Sequence, residues 1–476
     1  MCSVSESSSR RVQYLAGLSV SFAFTFTGAV LSWPSPAIPK FKNGEANVQI
    51  TDVSEQSSWV VALCPLGALL GCYFGQVLNE KVGRRRTILA SVLPGLIGAL
   101  LILFTKTPWL MCVARSIIGV GNGITAVVTM VYITEIADKE IRGALGMLVQ
   151  VMMNIGSLLV YAIGPFVSYT ALNSIVLSIV ILYGFACLWV PESPYYHLKD
   201  GRLALAKKEF MFIKGTKDDK WASEQLAIMR SHVVESMANK TTTKELFTNM
   251  RYRKALYVVA GLKVLQYMTG TCAIQAYLEP IFRQSSSVSG PYVSIVYGFV
   301  QLAAGITATF LTACVGRRIL MLTSSIGVAI SLTAVGIYFF LQDYYQLSAQ
   351  TLSSISALPL LGVLGFNILY SIGLGNLPYI MQAELFPINV KTVGSSLATM
   401  MAAILNFFVT KSYQGIKDFF GHYTVFWSFA SIAYFGIFFI YFFVPETKGK
   451  TLEEVQDNLN VETVEMEQLN KEKQKE

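Results

Sequence analysis

Charged residues are scarce in this sequence, and that scarcity excludes an ordinary soluble domain. Only 14% of the 476 residues are charged and 53% are hydrophobic, whereas soluble domains carry about 25% charged residues. We therefore expect a membrane protein. The net charge of +8 does not indicate nucleic acid as a partner. The basic residues fall between apolar runs and in one central segment, without a stripe of interleaved aromatic residues.

Residues that bind metals or form disulfides are also few or scattered. The three histidines form no ligand set, and the seven cysteines include no CxxC pair, with six of them in apolar runs. We expect free thiols that pack as small hydrophobic groups, with no metal site and no cofactor. The sequence shows no nucleophile–base pair and no phosphate-binding loop, so it does not indicate an enzyme.

Long apolar runs are abundant, and about twelve of them approach the roughly 20 residues that span a bilayer core. We number them segments 1 to 12, at residues 12–33, 57–79, 87–105, 109–132, 143–167, 171–191, 254–277, 292–313, 317–341, 354–382, 392–413 and 421–443. Segment 1 is long enough to span and ends in WPSP, not in a small-residue cleavage site, so we expect no cleaved signal peptide.

Polar sequence divides the chain into four predicted regions. These are an N-terminal six-helix bundle at 1–191, a cytosolic linker at 192–253, a C-terminal six-helix bundle at 254–445 and a cytosolic tail at 446–476. The linker pieces LALAKKEF and ASEQLAIM read as short amphipathic helices. Basic loops on one side predict that both termini face the cytosol, and we expect the chain to lie in the plasma membrane.

The two halves repeat in register, which predicts a duplicated architecture. The matching pairs are Thr27-Gly28 with Thr269-Gly270, VGRR at 82–85 with 315–318, IGVGN at 118–122 with IGLGN at 372–376, Glu135 and Arg142 with Glu384 and Lys391, and PES at 191–193 with PET at 445–447. The sequence thus predicts an all-α membrane protein, with twelve transmembrane helices in two pseudo-symmetric six-helix bundles, as in secondary transporters.

Acids and bases recur at the predicted inner ends of several segments. A plain reading is that the basic residues anchor the inner ends by the positive-inside rule. The repetition and the neighbouring acids favour a conformational latch instead, which forms and breaks as the inner ends close and part. The predicted latch residues are Glu80, Gly83, Arg84, Arg85, Glu135, Arg142, Glu192, Arg317, Arg318, Glu384, Lys391 and Glu446.

Glycine and proline interrupt two of the segments. Close helix packing is a sufficient explanation for Gly119 and Gly121. The stretch with Gly373, Gly375 and Pro378 is more extreme, and it predicts a hinge in segment 10 that faces a cavity and not lipid.

Uncharged polar residues recur inside the apolar runs, including Gln150, Gln266, Gln301 and Asn406. A single buried amide between helices is as well explained by helix association, worth about 0.6 kcal/mol. Together the amides suit a neutral polyol, because each can both donate and accept. Segment 1 carries no acid, which favours facilitated diffusion over proton symport; symport stays the alternative.

At this point the motifs resemble those of a known family. VGRR, YITEIADKEIRGALG, PESP, KDGR at 199–202, AELFP and PETKGKTLEE resemble, in order and spacing, the signatures of the sugar porters of the major facilitator superfamily. WPSPAIPK and the short outer loop look most like the facilitated trehalose transporters of insects. The resemblance implies the major facilitator fold and transport of a sugar by alternating access, with the bilayer and a small neutral solute as the partners; the oligomeric state stays open.

The resemblance also implies a set of substrate contacts, and the departures from the family fall among them. Segment 7 reads QYMTGTC where the family usually has QQLSGIN, so Tyr267 and Cys272 replace two amides. Losing an amide costs about 1–3 kcal/mol for each hydroxyl left unpaired. We therefore expect trehalose or another polyol in preference to glucose, or a weakly transporting sensor on the same scaffold. The implied contacts are Gln150, Gln266, Thr271, Cys272, Tyr277, Gln301, Tyr379 and Asn406.

Two inner positions depart from the family as well. Ala313 and Cys314 stand where the family has an acid and a base before Gly316. We therefore expect the latch of the second half to be weaker than that of the first.

Overall fold

The computed structural model describes residues 5–46, 48, 51–238, 247–248, 250–285, 289–386 and 390–448. Most of the predicted tail, from residue 449, lies outside the described residues. Within the described part every regular element is a helix, which confirms the expected all-α class.

The first half of the chain forms eleven helices and one 3₁₀ turn at Gly164–Phe166. The helices are α1 Ser5–Ser21, α2 Ala23–Ser32, α3 Pro34–Lys42, α4 Val53–Lys81, α5 Arg84–Phe104, α6 Pro108–Ile136, α7 Lys139–Ile163, α8 Tyr169–Cys187, α9 Pro194–Lys199, α10 Leu203–Lys214 and α11 Asp219–Ala238.

The described part of the second half forms ten helices. They are α12 Met250–Met268, α13 Thr271–Ala276, α14 Leu278–Ser285, α15 Gly290–Cys314, α16 Arg317–Asp343, α17 Ala349–Ser354, α18 Ala357–Ile372, α19 Leu377–Leu385, α20 Lys391–Phe420 and α21 His422–Phe443.

Eleven helical stretches of the described residues are long and apolar enough to cross a membrane. Segment 7 is the predicted run missing from this set. It breaks into α12 and α13 at Gly270, whose φ of +85° is left-handed backbone that suits glycine. A Cβ there would lie 2.2 Å from the ring of Phe429, so packing requires glycine as well.

Segment 1 is longer than the sequence predicts. Its expected end at residue 33 is wrong, because the helical stretch runs from Arg10 to Lys42 and includes the proline-rich WPSPAIPK. Pro34 is tolerated at the first position of α3, where no hydrogen bond from its nitrogen is required. The Trp33 indole donates to Asn173 Oδ1 at 2.8 Å and fixes the junction against α8.

Glycines allow α4 and α6 to pack with their backbones in contact. A Cβ at Gly71 would lie 2.1 Å from the carbonyl oxygen of Val120, and one at Gly119 would lie 2.1 Å from that of Cys64. This close approach is typical of membrane helices, which lack a hydrophobic driving force between them. The packing interpretation of Gly119 is therefore confirmed.

The linker folds as short helices with a small core of its own. Two of its helices, α10 and α11, cover the sequences LALAKKEF and ASEQLAIM. Buried residues of these two helices form one hydrophobic cluster with Leu198 of α9: Ala206, Phe210, Ala222 and Leu226. Lys214 at the end of α10 forms an ion pair with Asp138, which also accepts from Gln13 Nε2 at 2.9 Å.

The chain divides into two compact units, which we treat separately. Unit 1 comprises Met1–Ala238, Cys272–Ile306 and Asn406–Gly415. Unit 2 comprises Asn239–Thr271, Thr307–Leu405 and Ile416–Glu476. Unit 1 therefore contains two stretches from the second half of the sequence. The predicted bundle boundaries at 191 and 254 rest on the sequence repeat and stay a prediction.

Candidate functional site

Unit 1 contains a buried ion-pair cluster at the ends of α5 and α6. The guanidinium of Arg84 donates through Nε and Nη2 to both carboxylate oxygens of Glu135, at 2.8 and 2.6 Å. Its Nη1 donates to the carbonyl of Asn79 at 3.0 Å, and Ser193 Oγ donates to Glu135. Such a bidentate pair is the strongest geometry open to an arginine and a carboxylate.

A second acid of this cluster binds the start of a helix. The Glu192 carboxylate accepts from the backbone N–H groups of Arg84 and Arg85 at 2.8 and 3.1 Å, at the N-terminus of α5. An anion is favourable there, because the first N–H groups lack helical partners and the positive end of the helix dipole lies at the N-terminus. Gly83 has φ +100°, and a Cβ on it would lie 2.5 Å from Glu192 Oε2. Both conformation and space therefore require glycine.

Unit 2 repeats this arrangement with fewer and longer bonds. Arg317 Nη2 lies 3.3 Å from Glu384 Oε1. Arg317 therefore makes one hydrogen bond to its acid, whereas Arg84 makes two to Glu135. The Arg317 Nε atom is buried and has no hydrogen-bond partner among the described residues. Thr447 Oγ1 donates to Glu384 as Ser193 does to its counterpart in unit 1. The difference has the direction that the sequence predicts for the second half.

Glu446 occupies in unit 2 the place that Glu192 has in unit 1. Its carboxylate accepts from the backbone N–H groups of Arg317 and Arg318 at 2.9 and 3.1 Å, at the start of α16. Burial alone would raise the pKa of Glu446. The N–H groups of Lys448, Arg317 and Arg318 outweigh this effect and hold the pKa below its usual value. A Cβ on Gly316 would lie 2.4 Å from Glu446 Oε2, which explains the repeated glycine.

The remaining predicted latch residues make weaker contacts in this structure than the residues of the two clusters. Glu80 forms a long, half-exposed ion pair of 3.7 Å with Lys199. Arg142 is exposed and donates to the carbonyl of Ala137 at 3.4 Å. No acid of the described part lies within 4 Å of Arg142. The side chain of Lys391 lies outside the described residues. Whether either cluster acts as a latch stays a prediction.

Segment 10 is interrupted where the glycines and proline predict it. Helix α18 ends at Ile372 and α19 begins at Leu377. Pro378 lacks the N–H that would continue the helix. Ser324 of α16 holds the break, because its hydroxyl donates to the carbonyl of Leu369 at 2.7 Å and accepts from Leu374 N at 3.0 Å. The predicted hinge residues Gly373, Gly375 and Pro378 all lie at this interruption; their movement stays a prediction.

Two of the predicted substrate contacts in unit 1 are connected through Asn154. Gln150 Nε2 donates to Asn154 Oδ1 at 3.1 Å, and Asn154 Nδ2 donates to the backbone carbonyl of Gln301 at 3.3 Å. The side-chain oxygen of Gln301 is buried and has no hydrogen-bond partner among the described residues. A buried amide oxygen left unpaired costs about 1–3 kcal/mol, so this atom requires a donor that the described protein does not supply.

Cys272 and Asn406 line one small cavity in unit 1, together with Gln275, Thr410 and the guanidinium of Arg115. The space holds about one water molecule, so a sugar does not fit without movement of the surrounding helices. Asn406 Oδ1 is a second buried amide oxygen that has no partner in the described part of the chain. The cavity is therefore narrow, and its walls are mostly apolar, because Leu31, Val61, Pro65 and Ala276 line it as well.

Tyr277 is packed and not open to a solute. It is 1% exposed and its ring stacks on Tyr413, with centroids 4.6 Å apart and an interplanar angle of 14°. The implied contact of Tyr277 with a substrate would require Tyr413 to move first.

Unit 2 holds Gln266, Thr271 and Tyr379. Gln266 is buried, and both ends of its amide are engaged. Its Oε1 accepts from Lys263 Nζ at 3.1 Å, and its Nε2 donates to the carbonyl of Gly375 at 2.7 Å. Tyr379 is 48% exposed and its ring lies over Lys263 Nζ at 3.4 Å. Thr271 is buried at the start of α13.

Arg115, Asn154 and Lys263 are the residues that the sequence-based contact set missed. Asn154 has the available signal of an amide four residues after Gln150, on the same helix face. Arg115 and Lys263 are lone cations within apolar runs, and such residues are functional candidates by default. Their burial, at 2% and 0% exposure, could not be inferred from sequence.

The sequence profile of the family described as "Sugar (and other) transporter" matches residues 14–459. Among curated proteins, the chain is 32% identical to the facilitated trehalose transporter Tret1 of Polypedilum vanderplanki, over 93% of this chain and 87% of that protein. It is 33% identical to the Bombyx mori protein of the same name, over 94% and 86% of the two chains. It spans about half the length of the Drosophila relatives, for example 51% of the Drosophila pseudoobscura pseudoobscura protein.

Solved structures show the same fold. The partially occluded inward-open xylose transporter XylE from E. coli superposes with a TM-score of 0.75, over 93% of this chain and 100% of that chain, at 19% sequence identity. The proton:xylose symporter XylE bound to 6-bromo-6-deoxy-D-glucose superposes with a TM-score of 0.74 at 20% identity, over 95% and 100% of the two chains. At these identities the match establishes the architecture.

Proposed function

This chain belongs to the sugar (and other) transporter family, and on that premise we propose that it carries a sugar across the plasma membrane by facilitated diffusion. The observation that carries this proposal is the pair of unpartnered, buried amide oxygens on Gln301 and Asn406. Each is an acceptor in need of a donor, and the hydroxyl groups of a neutral sugar are donors.

Trehalose is the first sugar to test. The relatives that match over most of this chain are described as facilitated trehalose transporters. The replacements at Tyr267 and Cys272 remove two amides that the sugar porters usually carry, which disfavours a glucose-type pocket. A disaccharide could replace the lost contacts with others elsewhere along its length.

Facilitated diffusion is favoured over proton symport by the surroundings of Arg115. Its Nε and Nη1 donate to the carbonyls of Val60 and Val30, at 3.2 and 3.0 Å, and it lies over the Trp33 ring. No acid of the described residues forms an ion pair with it. A proton-coupled carrier is expected to hold a carboxylate at membrane depth, and segment 1 carries no acid either.

Alternating access is supported by the two equivalent ion-pair clusters and by the broken helices of segments 7 and 10. Interrupted helices at the bilayer midplane are typical of secondary transporters. We propose that the clusters of Arg84 with Glu135 and of Arg317 with Glu384 open during the transport cycle. Both termini are proposed to face the cytosol.

Uptake into proteoliposomes tests this proposal. We expect the purified protein to carry labelled trehalose or another sugar from a panel of mono- and disaccharides, without an imposed proton gradient. Gln301→Leu removes the unpaired acceptor and should raise KM for that sugar about tenfold, the effect of one lost hydrogen bond of 1–2 kcal/mol. Gln225→Leu on linker helix α11 is the control and should leave KM unchanged.

Three results would count against it. If no sugar binds or moves, the proposal is wrong. If a sugar binds but does not move, the protein acts as a sensor. If uptake occurs only with an inward proton gradient, the protein is a symporter.

A further inference from the structure

Lys263 is a fully buried lysine in the interior of unit 2. It lies on α12 within segment 7 and is 0% exposed. Among the described residues no acid lies within 4 Å of its ammonium group. Burying a charge is costly unless it is paired, and an amide oxygen with an aromatic ring is incomplete compensation. The site therefore favours an anion as the third contact of the ammonium group.

The contacts of Lys263 also control an amide that a sugar would use. Gln266 Oε1 accepts from Lys263 Nζ, and Gln266 Nε2 donates to the carbonyl of Gly375. Tyr370 further fixes this part of α12 by donating to the backbone carbonyl of Gln266 at 2.9 Å. Gln266 Oε1 has two lone pairs and already accepts from Lys263 Nζ, so another acceptor for Lys263 would give a sugar hydroxyl fuller access to this oxygen. A carboxylate would supply that acceptor and release Gln266 Oε1 at the same time.

Tyr379 covers the ammonium group from the accessible side. Its ring centroid lies 3.4 Å from Lys263 Nζ, and its hydroxyl is 2.9 Å from that of Tyr267. Lys263 itself is fully buried, while Tyr379 is 48% exposed. A rotation of the half-exposed Tyr379 side chain would uncover the ammonium group.

We propose that Lys263 binds a carboxylate on the transported sugar, so that this carrier takes sugar acids of the hexuronate type and prefers them to their uncharged analogues. The proposal rests on the proposed function as a sugar carrier. One ammonium with one neighbouring amide matches the single charge of a carboxylate. A phosphate monoester carries about two charges and three acceptor oxygens, which this site does not match.

The test compares glucuronate with glucuronamide, which has the same shape and hydroxyl groups but no charge. Uptake is measured in proteoliposomes at neutral pH, with the membrane potential clamped at zero by potassium and valinomycin. We expect KM for glucuronamide to exceed KM for glucuronate at least tenfold in the wild type. In Lys263→Gln the ratio should fall to about one, and in Lys263→Arg it should stay above one.

Lys411→Gln is the matched control, because it also removes a lysine from an apolar segment. Lys411 belongs to unit 1, where it donates to Ser58 at 2.7 Å and lies over the Trp59 ring. The ratio of KM for glucuronamide to KM for glucuronate should be the same in Lys411→Gln as in the wild type.

The wild-type ratio decides the proposal even if a variant fails to fold. A ratio of one in the wild type, or a preference that survives in Lys263→Gln, overturns it. Trehalose and glucose uptake in the same vesicles separates this failure from failure of the proposed function. If these sugars are transported and glucuronate shows no advantage over glucuronamide, the protein is a sugar carrier but Lys263 does not bind a carboxylate of the substrate.

Discussion

Glu192 and Glu446 occupy equivalent positions in the two units, and each carboxylate caps a helix that begins with two arginines. In both, the carboxylate accepts from two successive backbone N–H groups. The arginine side chain meanwhile pairs with a different acid. The repeated GRR and PE motifs are thus explained by backbone capping as much as by ion pairing between side chains.

Glu446→Gln should destabilise the protein in a pH-dependent way. The folded pKa of Glu446 is lowered, so its stabilising effect is full above the pKa of an unfolded glutamate. The effect is lost as the pH falls through the lower folded pKa. At neutral pH we expect a loss of about 1–3 kcal/mol, the value of hydrogen bonds to a charged group. Thermal unfolding in detergent, followed by fluorescence, measures this loss.

The matched control is Glu224→Gln, an exposed acid on α11. It should unfold as the wild type does at every pH. A Glu446→Gln midpoint equal to that of the wild type at neutral pH would contradict the capping role. So would a difference that grows as the pH falls.

Residue roles in this chain were only partly predictable from sequence. The repeated motifs identified Arg84, Glu135 and Glu192 as a group. They did not indicate which arginine contacts Glu135, and the structure pairs it with Arg84. Spacing along the chain does not determine which of several arginines reaches an acid across helices. The burial of Lys263 was missed for the same reason, since Tyr379, whose ring covers it, is more than 100 residues away.

At the scale of helices, glycine positions determine how closely α4 and α6 approach. Gly67 and Gly71 on α4 face carbonyl oxygens of α6, and a Cβ on either would lie about 2 Å from one. The sequence showed these glycines within apolar runs but not the helix that each one faces.

Gly71→Ala should therefore separate the two helices and destabilise unit 1 by about 1–3 kcal/mol, the usual cost of overpacking. Gly146→Ala is the control, because no atom lies within 4 Å of the position that its Cβ would occupy. Alanine favours a helix over glycine by about 1 kcal/mol, so this variant should be as stable as the wild type or more so.

Thermal unfolding of both variants in one detergent gives the comparison. Equal midpoints for Gly71→Ala and the wild type would show that the helices have room to relax. That result would contradict the close packing.

The breaks in segments 7 and 10 differ in how well the sequence anticipated them. Two glycines and a proline within six residues predict the break between α18 and α19. The break at Gly270 was not predicted, because a single glycine in an apolar run is equally typical of close packing. Its counterpart Gly28 is such a case, with a helical backbone and a Cβ position 1.9 Å from the carbonyl oxygen of Met153.

At the scale of the whole molecule, composition and hydropathy were sufficient to predict a membrane protein. The internal repeat was sufficient to predict its duplicated architecture. Twelve apolar runs and five repeated motifs predicted a duplicated all-α transporter, and the family match and superposition on XylE agree with it. The sequence could not predict which stretches of the chain belong to unit 1, such as Cys272–Ile306 and Asn406–Gly415. It depends on contacts between residues far apart in sequence, which hydropathy does not encode.

Counterflow tests the central claim most directly, that this protein exchanges a sugar across the membrane passively by alternating access. Proteoliposomes are loaded with unlabelled sugar and diluted into a trace of the same sugar carrying a label, with a protonophore present. We predict that the label accumulates transiently above its outside concentration and then declines, because unlabelled sugar inside competes with label for the carrier and slows its exit until the unlabelled gradient has dissipated. Label that only approaches the outside concentration, or that accumulates only when the protonophore is omitted, would contradict the account.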